Sequence, residues 1–117
     1  MQHDSRLLGV WCSDGRRTGK EIDAWKVLPA GRKRKLKSLF GKLQLRFTRT
    51  RCYASLNGSH WVHRYKVLAK DETSVAILME EPDMPPKISH IHFEGACFWI
   101  NIGNGRLREF FKRISAR

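Results

Sequence analysis

Two periodicities divide the chain. Up to Phe40 the apolar positions fall at helical spacing, apart from one short opening strand; from Lys42 onward they alternate with polar positions every second residue. Arg6 to Ser13 reads as that opening strand, with Leu8, Val10 and Cys12 on one face and Leu7, Gly9 and Trp11 on the other. Asp14-Gly15 ends it as a turn. Thr18 then opens a helix, because Thr18 and Glu21 stand at capping-box spacing and Ile22 and Trp25 share a face. Pro29 separates this helix from a second one over Ala30 to Phe40, whose apolar stripe is Leu36, Leu39 and Phe40, with Gly41 just past its end.

The alternating stretch begins with Leu43, Leu45 and Phe47 and continues through Arg51 to Leu56, Trp61 to Lys70, Thr73 to Met79, Ile88 to Phe93, Ala96 to Ile102 and Arg106 to Ile114. Asn57-Gly58, Asp71-Glu72, Glu94-Gly95 and Gly103-Asn104-Gly105 supply turns, and Glu81 to Pro86 is a proline-rich loop that cannot join a central ladder. Sequential strands with short links pair side by side, and closing the meander removes its edges. The predicted fold is therefore mainly β: one domain over residues 1–117, an antiparallel meander barrel of about eight strands with a helix-turn-helix insert between strands 1 and 2.

Charge adds a second layer. Lys and Arg number 23 against 11 Asp and Glu, a formal net charge of +12, and from Ala24 to Lys70 there are 13 basic residues and no acidic one. Such a field draws polyanions or an anionic surface. Arg32, Lys33, Arg34, Lys35 and Lys37, joined by the outward Arg46, form the expected anion-binding patch. Cys12, Cys52 and Cys97 have no zinc-ligand spacing and suit reduced, largely buried thiols, which with the polar N-terminus favours a cytoplasmic protein. No apolar run reaches the length of a membrane-spanning helix.

Leu8-Gly9-Val10-Trp11 resembles the G-x-W strand that opens the lipocalin and fatty-acid-binding families, together the calycins, and the helix pair that follows is similar to a fatty-acid-binding lid. Leu107 to Arg113 resembles their closing strand. Small bacterial lipocalin-like barrels of unassigned role look similar. The resemblance implies that Arg113 covers Trp11 as a structural pair, and that the barrel takes an apolar or amphipathic ligand without catalysis.

Trp11, Phe47, Trp61, Tyr65, Trp99 and Phe111 are the expected inward aromatics, with Trp25 closing the top from the insert. They would line a ligand cavity or fill a solid core. His90 and His92 lie two apart and point outward, and His60 and His63 lie on another strand; no carboxylate or cysteine completes a metal site with either pair, so neither metal nor cofactor is expected. No G-x-S-x-G, P-loop or HExxH motif is present, which argues against an enzyme. The leading expectation is a non-catalytic binder of a small apolar or amphipathic ligand in or at the mouth of the barrel, where nearby cationic residues would favour an anionic head. The alternative is a basic module that binds nucleic acid or another polyanion through the insert.

Overall fold

The computed structural model describes residues 3–102 and 107–116. Strand β1 (Gly9–Ser13) is followed by helices α1 (Gly15–Asp23) and α2 (Ala30–Lys37), then by strands β2 (Gln44–Phe47), β3 (Arg51–Leu56), β4 (Ser59–Lys70), β5 (Ser74–Glu80), β6 (Lys87–Glu94), β7 (Cys97–Ile102) and β8 (Leu107–Ser115). Every strand pairs with its sequence neighbour, and β1 pairs with β8 through Trp11↔Arg113 and Ser13↔Phe111. The sheet is thus a closed eight-stranded antiparallel meander, as the change of periodicity predicts. The Gly103-Asn104-Gly105 turn expected from the sequence lies outside the described residues.

Closure gives the alternating residues an inside. Trp11, Phe47, Tyr65, Phe98 and Phe111 are buried together with Leu7, Cys52, Val75, Ile77 and Ile91. Phe98 is the hub: its ring centroid lies 4.6 Å from that of Trp11, 4.9 Å from Phe111 and 6.4 Å from Phe47. The segment before β1 folds into the barrel core. Leu7 is fully buried there, and the buried Asp4 carboxylate takes a 2.6 Å ion pair from Arg6, whose guanidinium also lies over Phe93. Burial alone would raise the Asp4 carboxyl; the hydrogen bonds from Arg6 outweigh it and hold the group below its ordinary value.

The helices differ from the expected boundaries for physical reasons. Asp14, not Thr18, caps α1: its side chain accepts from the Arg17 backbone N–H at 3.1 Å. Thr18 is instead buried inside the helix, where its hydroxyl accepts from the Phe110 backbone N–H at 3.0 Å and docks α1 on β8. Arg108 reinforces that dock with a 2.6 Å ion pair to Glu21. Helix α2 stops at Lys37, short of Phe40, and among the described residues it packs on α1 alone. It carries no buried residue, so its hold is the Asp23 group: the Asp23 carbonyl accepts from Lys33 at 2.8 Å and its carboxylate from Lys37 at 2.9 Å.

Candidate functional site

Because α2 leans on α1 and not on the sheet, it stands off the barrel and leaves a groove. The groove has a volume of about 690 Å³. The insert lines it with Trp25, Leu28, Leu36 and Leu39, and the barrel with Ile102 and Leu107 at the facing ends of β7 and β8. Arg32 and Lys35 project from α2 into the same groove. Neither has an ion-pair partner among the described residues. The groove thus combines an apolar floor with two unpaired cations at its rim.

The neck of the insert is fixed by close backbone approach. A Cβ on Gly15 would sit 3.1 Å from the Gly41 Cα, and Gly41 itself adopts φ +97°. Ser13 ties the neck to the barrel, its hydroxyl accepting from the Gly41 N–H at 3.0 Å and donating to Glu109 at 2.9 Å. Glu109 is 8% exposed and shares the inward face of β8 with Leu107, the groove residue two positions away. Burial pushes its carboxyl above the ordinary range, against the opposing pull of the Ser13 hydrogen bond. The fold therefore favours neutral Glu109. Its contribution to stability is fully present below the ordinary glutamate value of about 4.3 and is lost as pH rises through the raised folded value. Glu109→Gln keeps the acceptor for Ser13 without the charge. It is expected to match the parent near pH 4 and to exceed it by about 1–3 kcal/mol at pH 8, the scale for a buried charged group with a single partner; urea unfolding across that range measures the divergence.

The aromatics expected to line a cavity separate into distinct places. Trp25 lines the groove, whereas Trp11, Phe47, Tyr65 and Phe111 belong to the packed core. Burial raises the Tyr65 hydroxyl to about 12, and that hydroxyl donates to the Thr48 carbonyl. Trp61, 38% exposed, borders a shallow depression with Tyr53, His60 and Val62. Trp99 corrects the expectation of an inward ring. The register Phe98↔Phe111 turns Phe98 inside, so Trp99 faces out and stacks on His92 at 4.0 Å. His92 in turn lies 4.2 Å from His90, whose Nε2 meets the Ser74 hydroxyl at 3.1 Å. Burial, followed by the neighbouring His90, lowers the His92 imidazole below its ordinary value. Among the described residues no cluster of three or more His, Cys, Asp or Glu is placed to hold a metal ion.

The expected anion patch also divides. Arg32 and Lys35 face the groove, Lys33 and Lys37 are engaged by Asp23, and Arg34 is exposed on α2. Arg46 stands apart on the outer face of β2, its guanidinium 4.0 Å from the Tyr53 ring centroid, on a strand that makes no packing contact with α2. Cys52 is buried, which raises its thiol to about 12, while Cys12 and Cys97 are half-buried; none is in a disulfide. No described helix is long and apolar enough to cross a membrane.

The G-x-W segment has a definite geometry. The Trp11 indole N–H donates to the Leu7 carbonyl at 2.9 Å, and the Arg113 guanidinium lies 4.3 Å from the Trp11 ring centroid. Arg113 also donates to the carbonyls of Leu8 at 2.6 Å and Arg6 at 2.7 Å. The closed eight-strand barrel with helices after its first strand is compatible with a lipocalin-like architecture. In comparison with known proteins, no family model matches the chain, and no curated protein or solved structure matches it either.

Proposed function

We propose that this protein is a non-catalytic binding barrel that takes a small amphipathic anion in the groove between α2 and the β7–β8 end of the barrel. One observation carries the reading: an apolar groove of about 690 Å³ into which Arg32 and Lys35 bring unpaired positive charge. The ligand's hydrocarbon part would be held by area removed from water against Trp25, Leu28, Leu36 and Leu39, at about 25 cal/mol per Å². The two cations select the sign of its head group and make binding sensitive to salt.

Calorimetric titration with a medium-chain carboxylate, its alcohol and its trimethylammonium analogue tests this. The carboxylate is expected to bind in the micromolar range and the ammonium analogue at least tenfold more weakly. Leu36→Asp should abolish binding of the carboxylate. Arg32→Ala with Lys35→Ala should cost it roughly tenfold while leaving the alcohol unchanged. Equal affinity for all three probes, or carboxylate binding indifferent to Leu36→Asp, rejects the groove as the site.

A further inference from the structure

The outer face of β2, β3 and β4 carries a charge arrangement that folding alone does not explain. The register places Arg51 directly opposite Arg64, about 5 Å apart at Cα. Like charges opposite one another weaken a sheet. On the same face, two positions along β3, Tyr53 stands opposite Arg46 on one side and Val62 on the other. Arg46, Arg51 and Arg64 are all exposed and have no ion-pair partner among the described residues. The nearest acids are on the β5 side: Glu80 stands directly opposite Arg64 and pairs with Lys66 at 3.4 Å, and Glu80 and Glu81 border a depression shared with Arg51 and Arg64. Two shallow depressions on this face share Arg51, Arg64 and Glu80, and one of them meets, at Val62, a third that reaches Arg46, Tyr53 and His60.

We infer that this strand face binds single-stranded nucleic acid, with Arg51 and Arg64 on successive phosphates and the Arg46 guanidinium, 4.0 Å from the Tyr53 ring centroid, as a stacking partner for a base. Glu80, directly opposite Arg64 on β5, offsets the charge on that side only, and an anion between Arg51 and Arg64 would offset it on the other. A guanidinium plane supported by an aromatic ring is a recognised stacking partner for an unpaired base. Exposed Val62, opposite Tyr53, adds apolar surface that a purely ionic partner would not use. This site is separate from the groove and needs neither α2 nor a small ligand.

Fluorescence anisotropy with a labelled uridine or thymidine oligomer of about a dozen nucleotides, between about 50 and 200 mM salt, is the test. The parent chain is expected to bind with an affinity that falls as salt rises. Arg51→Thr with Arg64→Thr should weaken binding at low salt at least tenfold and flatten the log–log salt slope by about 1.4, two single-strand phosphate contacts. Tyr53→Ser should cost roughly tenfold with the slope unchanged, because it removes stacking and not charge. The threonine pair relieves a like-charge contact, so its Tm should equal or exceed the parent's, which separates lost binding from lost folding. Replacing Arg32, Arg34 and Lys35 with Ser should change oligomer affinity less than twofold. No oligomer binding at low salt overturns the inference, as does binding that depends on the α2 cations and not on Arg51 and Arg64. So does flotation with phosphatidylglycerol vesicles that requires the same arginines while the oligomers fail to bind.

Discussion

Replacing Phe98 with Ala is expected to cost about 3–5 kcal/mol of unfolding free energy and to lower Tm by roughly 10–20 °C. Phe98 is almost completely buried, and its ring meets Trp11, Phe47, Phe93 and Phe111. Each of the four comes from a different strand, β1, β2, β6 and β8. Truncation would leave a cavity that none of them can fill without moving its strand, and a closed sheet resists such movement because every strand is pinned on two sides. The informative comparison is the adjacent Trp99→Ala. Trp99 is the larger side chain, but it lies outside the barrel between His92 and Arg108, so its loss should cost no more than about 1.5 kcal/mol. Urea unfolding of the two variants settles which aromatic face of β7 is the core. Equal losses would mean that the barrel is not filled from the Phe98 side.

That comparison also marks where the sequence could be read and where it misled. Strand β7 is apolar on both faces, so alternation of apolar residues does not by itself choose between Trp99 and Phe98. Asn101 holds the correcting signal: it shares the parity of Trp99 and is exposed, which turns Phe98 and Ile100 inward. Elsewhere the alternation was unambiguous, since Arg46, Arg64 and Lys66 interrupt their strands with charge and leave Phe47 and Tyr65 only one side to occupy. Asp14-Gly15 satisfies both a turn and an N-cap, so the sequence leaves the start of α1 ambiguous. Thr18, the better match to a capping box, is used by a partner 92 residues away, the Phe110 N–H, which no local pattern reports. The groove was legible only as its ingredients. Trp25, Leu36, Leu39, Arg32 and Lys35 can all be picked out of the sequence, but the space among them depends on α2 resting on α1 and leaving the sheet free. The Arg51–Arg64 pair needs the β3–β4 register, which follows from the two-residue Asn57-Gly58 turn once Ser59 is placed opposite Leu56.

Gly9→Ala is expected to destabilise the protein by about 3 kcal/mol or more, the second large effect of a single substitution. Gly9 has φ +126°, a conformation that residues with a Cβ rarely adopt. The added methyl would also meet the Ser115 carbonyl oxygen at 2.5 Å and Arg113 at 2.7 Å. The Arg113 side chain could swing away, but only by leaving Trp11 and the carbonyls of Leu8 and Arg6 that it ties together. Ser115 is backbone at the seam where the last strand closes on the first, next to the register shift between Val10 and Trp11. Moving it opens the barrel. Gly58→Ala separates the two causes: Gly58 also has a positive φ, +86°, but its missing Cβ has nothing within 4 Å. That variant should show backbone strain alone, about 1 kcal/mol. Thermal unfolding of the pair, with near-ultraviolet circular dichroism to follow the Trp11 environment, measures the difference. If Gly9→Ala cost no more than Gly58→Ala, the glycine of the G-x-W segment would be there for its dihedral angle only, and not to let the closing strand and its arginine reach the tryptophan.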